Sequence, residues 1–104
     1  MRVALGLSDY LDDFATANSA ETWKHFAKDD PTQWKIRFLE VMNDQCTEVL
    51  FNLKGVDVWA GVTRASAGRH GATDWELLQI RQNKVWWSRI KWYKDGALLA
   101  NPFE

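Results

Sequence analysis

Leu7, Tyr10, Leu11, Phe14 and Ala15 recur at the i, i+3, i+4, i+7, i+8 spacing of one helix face. Ser8 is suited to cap that helix, and Asp9, Asp12 and Asp13 favour its positive N-terminal end. Asn18-Ser19 breaks the pattern. Ser19 then opens a short helix carrying Trp23, Phe26 and Ala27, in which His25 reads as a structural histidine. Asp30-Pro31-Thr32-Gln33 is a strong start signal, with Asp30 at the N-cap, Pro31 at N1 and Gln33 at N3. The helix it starts presents Trp34, Phe38, Val41 and Met42 and should stop near Asn43-Asp44.

Beyond that point the period changes to two. Thr47, Val49, Phe51 and Leu53 alternate with Glu48, Leu50, Asn52 and Lys54, the pattern of a half-buried strand. Gly55 breaks it, and residues 56–59 read as a second short strand. Residues 61–71 read as a loop, 74–82 as a third strand and 85–94 as a fourth, with a tight turn at Asn83-Lys84. Asp95-Gly96 is the best hairpin signal in the chain, since both positions tolerate positive φ. Residues 97–100 return briefly before Asn101-Pro102 ends the strand. Helices first and strands after predict an α+β fold. It would be one domain over residues 1–104, with N-terminal helices packed on an antiparallel β-meander of four to five strands.

The fourth predicted strand carries Trp86, Ser88, Ile90 and Trp92 on one face, suited to packing on the helices. The other face interleaves Trp87 and Tyr93 with Arg89 and Lys91, a combination that stacks bases and neutralises phosphates. The alternative is cross-strand packing, with the cation stems lying over rings.

Composition narrows the chemistry. The 104 residues are 46% hydrophobic and 26% charged, which is globular and not disordered. One Cys excludes an internal disulfide, and two His are too few for a zinc cluster without help from carboxylates. No apolar run reaches the roughly 20 residues that span a bilayer, and no membrane partner is expected. No signal peptide is visible, so the chain is expected to be intracellular or cut from something larger. The net charge of −1 hides an asymmetry: residues 64–94 carry seven Lys/Arg against two acids, while residues 1–63 carry six against ten. Such a local field attracts anions, although a solvated basic face reads the same way.

Residues 64–76 hold Arg64, Ser66, Arg69, His70, Thr73, Asp74 and Glu76 in thirteen positions, with Gly68 and Gly71 among them. That inventory suits metal-independent RNA cleavage, which needs a base for the 2′-hydroxyl, an acid for the leaving 5′-oxygen and cations for the phosphorane. Glu76 is assigned as base and His70 as acid, with Arg64 and Arg69 as electrostatic stabilisers and Thr73 or Ser66 as a donor to phosphate. Ordinary turn chemistry between two strands accounts for the same residues. No cofactor or metal is implied. The zinc-deaminase, P-loop, dinucleotide-binding and Gly-x-Ser-x-Gly motifs are absent from the sequence.

The stretch from Phe51 through Asp57 and Trp59 to Val62, then Gly68-Arg69-His70-Gly71-Ala72-Thr73-Asp74-Trp75-Glu76 with Leu77, Leu78, Gln79 and Ile80, and the closing Asn101-Pro102-Phe103, resembles C-terminal toxin domains of bacterial polymorphic toxins. These ride on Rhs or contact-dependent-inhibition carriers. The order of elements is similar to the barnase, colicin-D and RelE group of small RNases. The resemblance implies an RNA substrate, Arg64, Arg69, His70, Thr73 and Glu76 as site residues, and a tightly bound cognate immunity protein. It also implies secretion within a larger carrier and action in the target-cell cytoplasm. Two alternatives stand beside the ribonuclease: a nucleotide- or NAD-consuming toxin, and a non-enzymatic binding or immunity protein.

Overall fold

The computed structural model describes residues 1–22, 31–69 and 71–104. The expected helix with Trp23, His25 and Phe26, the Asp30 cap and the candidate acid His70 lie outside them, as does the side chain of Trp34.

Two helices form where the periodicity places them. α1 spans Ser8–Ala17 and buries Leu11 and Ala15, although Leu7 occupies its N-cap and no side chain caps it. α2 spans Pro31–Asn43, starting on the proline and stopping at the anticipated residue. The strand expected after it is β3, Glu48–Asn52. Its burial is not alternating, because Val49, Leu50, Phe51 and Asn52 are all buried. A strand covered on both faces loses the polar alternation of a half-buried one.

That double cover comes from a sheet organised differently from a meander. β1, Arg2–Gly6, lies beside β3, and the five strands run in the order β2-β1-β3-β4-β5. β2 is Glu21–Thr22, β4 is Ile90–Lys94 and β5 is Ala97–Leu99. β1 pairs in parallel with both β2 and β3, and β3 pairs in parallel with β4. Only β4 and β5 are antiparallel, joined at Asp95 and Gly96 with φ of 53° and 79°. The fold is α+β, with five helices among the described residues and a five-stranded mixed sheet. The antiparallel arrangement holds for the last hairpin alone.

The remaining departures share one cause. Residues expected as the second strand and the loop form α3, Val58–Ser66, and the expected third strand is α4, Ala72–Gln82. Lys84–Arg89, expected as strand, is a short 3-10 helix, so β4 keeps only the second half of its predicted length. Parallel strands need a long crossover, and α3, α4 and the 3-10 helix supply it between β3 and β4.

Side chains alternate across β1, which separates the two cores. Val3 and Leu5 join Phe38, Met42, Val49, Phe51, Leu77, Ile80 and Trp92 on the side of α2, α3 and α4. Ala4 faces the other way, onto Leu11 and Ala15 of α1. Phe51 and Trp92 stack at 5.1 Å in the larger core, and each ring contributes on the order of 2–3 kcal/mol by burial.

Candidate functional site

In sheets of this kind the chain reverses direction at a switch point, and ligands gather at the carboxyl ends of the strands beside it. Here β1 leads by α1 to β2 on one side, whereas β3 leads by α3 and α4 to β4 on the other. The switch point lies at Gly6 and Asn52. A Cβ on Gly6 would sit 2.7 Å from the Asn52 carbonyl oxygen, and Gly6 has φ of 146°. Asn52 is buried; its amide donates to the Tyr10 carbonyl at 3.4 Å, and its oxygen accepts from the Lys54 amide at 3.1 Å.

α4 is drawn to this edge. Thr73 Oγ1 donates to the Gly6 carbonyl at 3.3 Å. Glu76 is one turn further along the same side of α4 and is 3% exposed, beside buried Leu77 and Ile80. The N-cap of α4 is Gly71, with no side-chain cap. The start of α3 is capped instead, by the Asp57 carboxylate accepting from the Ala60 amide at 3.1 Å.

The junction between α3 and α4 has a specific geometry. α3 ends in a Schellman turn: the Gly68 amide donates to Ala65 and the Arg69 amide to Arg64, with Gly68 at φ 79°. Gly68 is therefore required by the helix end, not by a ligand. Arg64 clasps Asp74 with Nε and Nη2, at 2.8 and 3.1 Å from its two carboxylate oxygens. The Asp74 hydrogen bond, then its charge, raises the Arg64 guanidinium above its ordinary value. Two-pronged pairing fixes orientation as well as charge, so Arg64 holds the helix hairpin together. Arg69 is exposed and makes no ion pair among the described residues.

Of the catalytic candidates, Arg64 at the end of α3, Arg69 in the turn after it and Thr73 at the start of α4 lie at one helix junction, whereas Glu76 is buried a turn further along α4, on a helix and not at the start of a strand. The nucleic-acid candidates are divided: Arg89 and Lys91 line one depression with Gln45, Thr47, Glu48 and Ser88, whereas Trp87 and Tyr93 pack elsewhere. Trp87 belongs to the 3-10 helix and donates its indole N–H to the Ile80 carbonyl at 2.7 Å. Arg89 donates to the Met42 and Asp44 carbonyls at the end of α2. Lys91 pairs with Glu48 at 2.7 Å, and Arg2 meets the other Glu48 oxygen at 3.2 Å. The Lys91 hydrogen bond holds Glu48 below the usual carboxylate range, and Glu48 in turn raises Lys91. Tyr93 meets Phe14 of α1 edge-on at 5.6 Å.

Sequence reasoning missed Gly6, Asn52 and Lys54, which the parallel sheet brings to its carboxyl edge. Lys54 lies over the Tyr10 ring at 4.8 Å. At the opposite edge a depression of about 440 Å³ is lined by Asn43, Gln45, Val85, Trp86, Ser88 and Arg89, a set without an acid–base pair. Among the described residues no three His, Cys, Asp or Glu side chains converge on a metal position. No described helix is long and apolar enough to cross a membrane. No protein-family model, curated protein or solved structure matches the chain.

Proposed function

We propose that the chain is a ribonuclease domain that cleaves RNA without a metal, with its site where α4 meets the carboxyl ends of β1 and β3. The carrying observation is the Thr73–Gly6 hydrogen bond, which ties the candidate cluster to the switch point of the sheet. The base assigned is Glu76, which substrate reaches only if α4 uncovers it from its place beside Leu77 and Ile80; it takes the 2′-hydroxyl proton, and the 2′-oxygen attacks phosphorus and breaks the bond to the 5′-oxygen. His70 protonates that leaving oxygen. Arg69 stabilises the phosphorane, while Arg64 acts as a positioning residue through Asp74 and Thr73 through its bond to the Gly6 carbonyl.

The same reading makes the domain a bacterial toxin, delivered to a target cytoplasm by a larger carrier and neutralised by an immunity protein. It is tested by inducing the chain inside a bacterial cell and running total RNA beside the Arg69→Ala and Glu76→Gln variants. Growth arrest with discrete RNA fragments, both reduced in the variants, is the expected outcome. Arrest with intact RNA points to a nucleotide or NAD target instead. Unchanged growth contradicts the toxin reading.

A further inference from the structure

A row of aromatic rings bracketed by cations runs from α3 and the end of α4 over the C-terminal Phe103 to the 3-10 helix. Arg81 at the end of α4 sits over Trp59 of α3, 5.2 Å from the ring centre. Trp59 meets Phe103 edge-on at 5.7 Å, and Phe103 meets Trp87 at 6.2 Å. Lys84 closes the row, 5.7 Å from the Trp87 ring. Trp59 differs sharply from the core tryptophans, being 51% exposed where Trp86 and Trp92 are 4% and 2%, while Phe103 and Trp87 pack against the core, Phe103 edge-on to Trp92 at 5.7 Å. Phe103 and Trp87 are half-buried, and Trp87 is held by its bond to the Ile80 carbonyl. Arg81 and Lys84 are exposed and make no ion pair among the described residues. The carboxylate of Asp57, two residues before Trp59, is turned to the Ala60 amide. Glu104, beside Phe103, is exposed.

We propose that Trp59, Phe103 and Trp87, with Arg81 and Lys84, form a binding surface for single-stranded nucleic acid. Aromatic rings at a wet surface offer stacking to any base, and cations beside them neutralise the phosphates between stacked bases. A folded chain gains little from leaving half of a tryptophan in water, and two exposed cations set against rings, with no ion pair among the described residues, favour a polyanionic occupant. Arg81 is eight residues beyond Thr73 on α4, about 12 Å at the helical rise. The inference rests on the nucleic-acid reading of the substrate, so the probe separates the two.

The probe is a labelled single-stranded oligodeoxythymidylate, which lacks the 2′-hydroxyl and cannot be cleaved by 2′-oxygen attack. Its binding is followed by fluorescence anisotropy over a salt series. The chain binds it, and Trp59→Ala weakens binding by about tenfold. The Arg81→Gln, Lys84→Gln double variant lowers the slope of log affinity against log salt by about 1.4. All of these side chains are at the surface, so circular dichroism of the variants stays native. No binding at low salt, or unchanged affinity in both variants, overturns the proposal and leaves the row as a protein-docking surface. Binding through Trp59 by a chain that cuts no RNA sustains the platform and removes the cleavage reading. Cleavage without binding through Trp59 does the reverse.

Discussion

Replacing Arg89 with alanine separates a structural role from a nucleic-acid one. From the 3-10 helix its guanidinium reaches the Met42 carbonyl, left without an intrahelical partner in the last turn of α2, and the Asp44 carbonyl just beyond, which also accepts from the Thr47 amide. A hydrogen bond from a charged donor contributes about 1.5–3 kcal/mol, but the Asp44 bond is exposed and water replaces much of it. A cation at a helix C-terminus adds roughly 0.3–1 kcal/mol. Together these give a loss of about 2 kcal/mol for Arg89→Ala, or roughly 10 °C in Tm for a domain of this size. Arg89→Lys recovers about half of it, since a point charge reaches one carbonyl and not two. Urea unfolding followed by tryptophan fluorescence measures both, with an unchanged slope against denaturant. An unchanged midpoint in Arg89→Ala, accompanied by weaker binding to single-stranded DNA, would refute the capping role and return Arg89 to the nucleic-acid surface.

Gly6→Ala forces a Cβ to 2.7 Å from the Asn52 carbonyl at φ 146°; the expected cost is about 2 kcal/mol or more, read from the same urea transition. Asp57→Ala removes the cap of α3 and lowers stability by about 1 kcal/mol, with Asp57→Asn recovering most of it. Glu48 is held below its ordinary value of 4.5, first by the Lys91 hydrogen bond. Its contribution is therefore complete above that value and is lost as pH falls through the folded-state value. Urea midpoints taken from neutral pH down through the carboxylate range fall less steeply in Glu48→Gln than in the parent chain; parallel curves contradict the assignment.

Local signals made α1, α2, β3 and the Asp95-Gly96 hairpin legible, because period, Pro31 at N1 and turn chemistry act within a few residues. β1 carried no such signal: Val3, Ala4 and Leu5 are buried on both faces and do not alternate. α4 does have helix spacing, with Thr73, Glu76, Leu77 and Ile80 at i, i+3, i+4 and i+7. Its inward side begins with two polar residues, which blurs the apolar stripe. Val58, Gly61, Val62 and Ala65 have the same spacing in α3, with Asp57 before them as a cap. Read as strands and loop, these two helices left no crossover, and without a crossover the strands could only be antiparallel. The catalytic candidates were visible because they are contiguous in sequence. The carboxyl edge at Gly6 and Asn52, and the row at Trp59 and Phe103, exist only once distant segments meet.

The most direct test of the central claim is incubation of the purified chain with RNA in the presence of a chelator, with the cleaved ends analysed chemically. The expected products are fragments ending in 2′,3′-cyclic phosphate, strongly reduced in Glu76→Gln and Arg69→Ala chains that retain the native circular dichroism. RNA that remains intact, or cleavage that stops when the chelator is added, would contradict it.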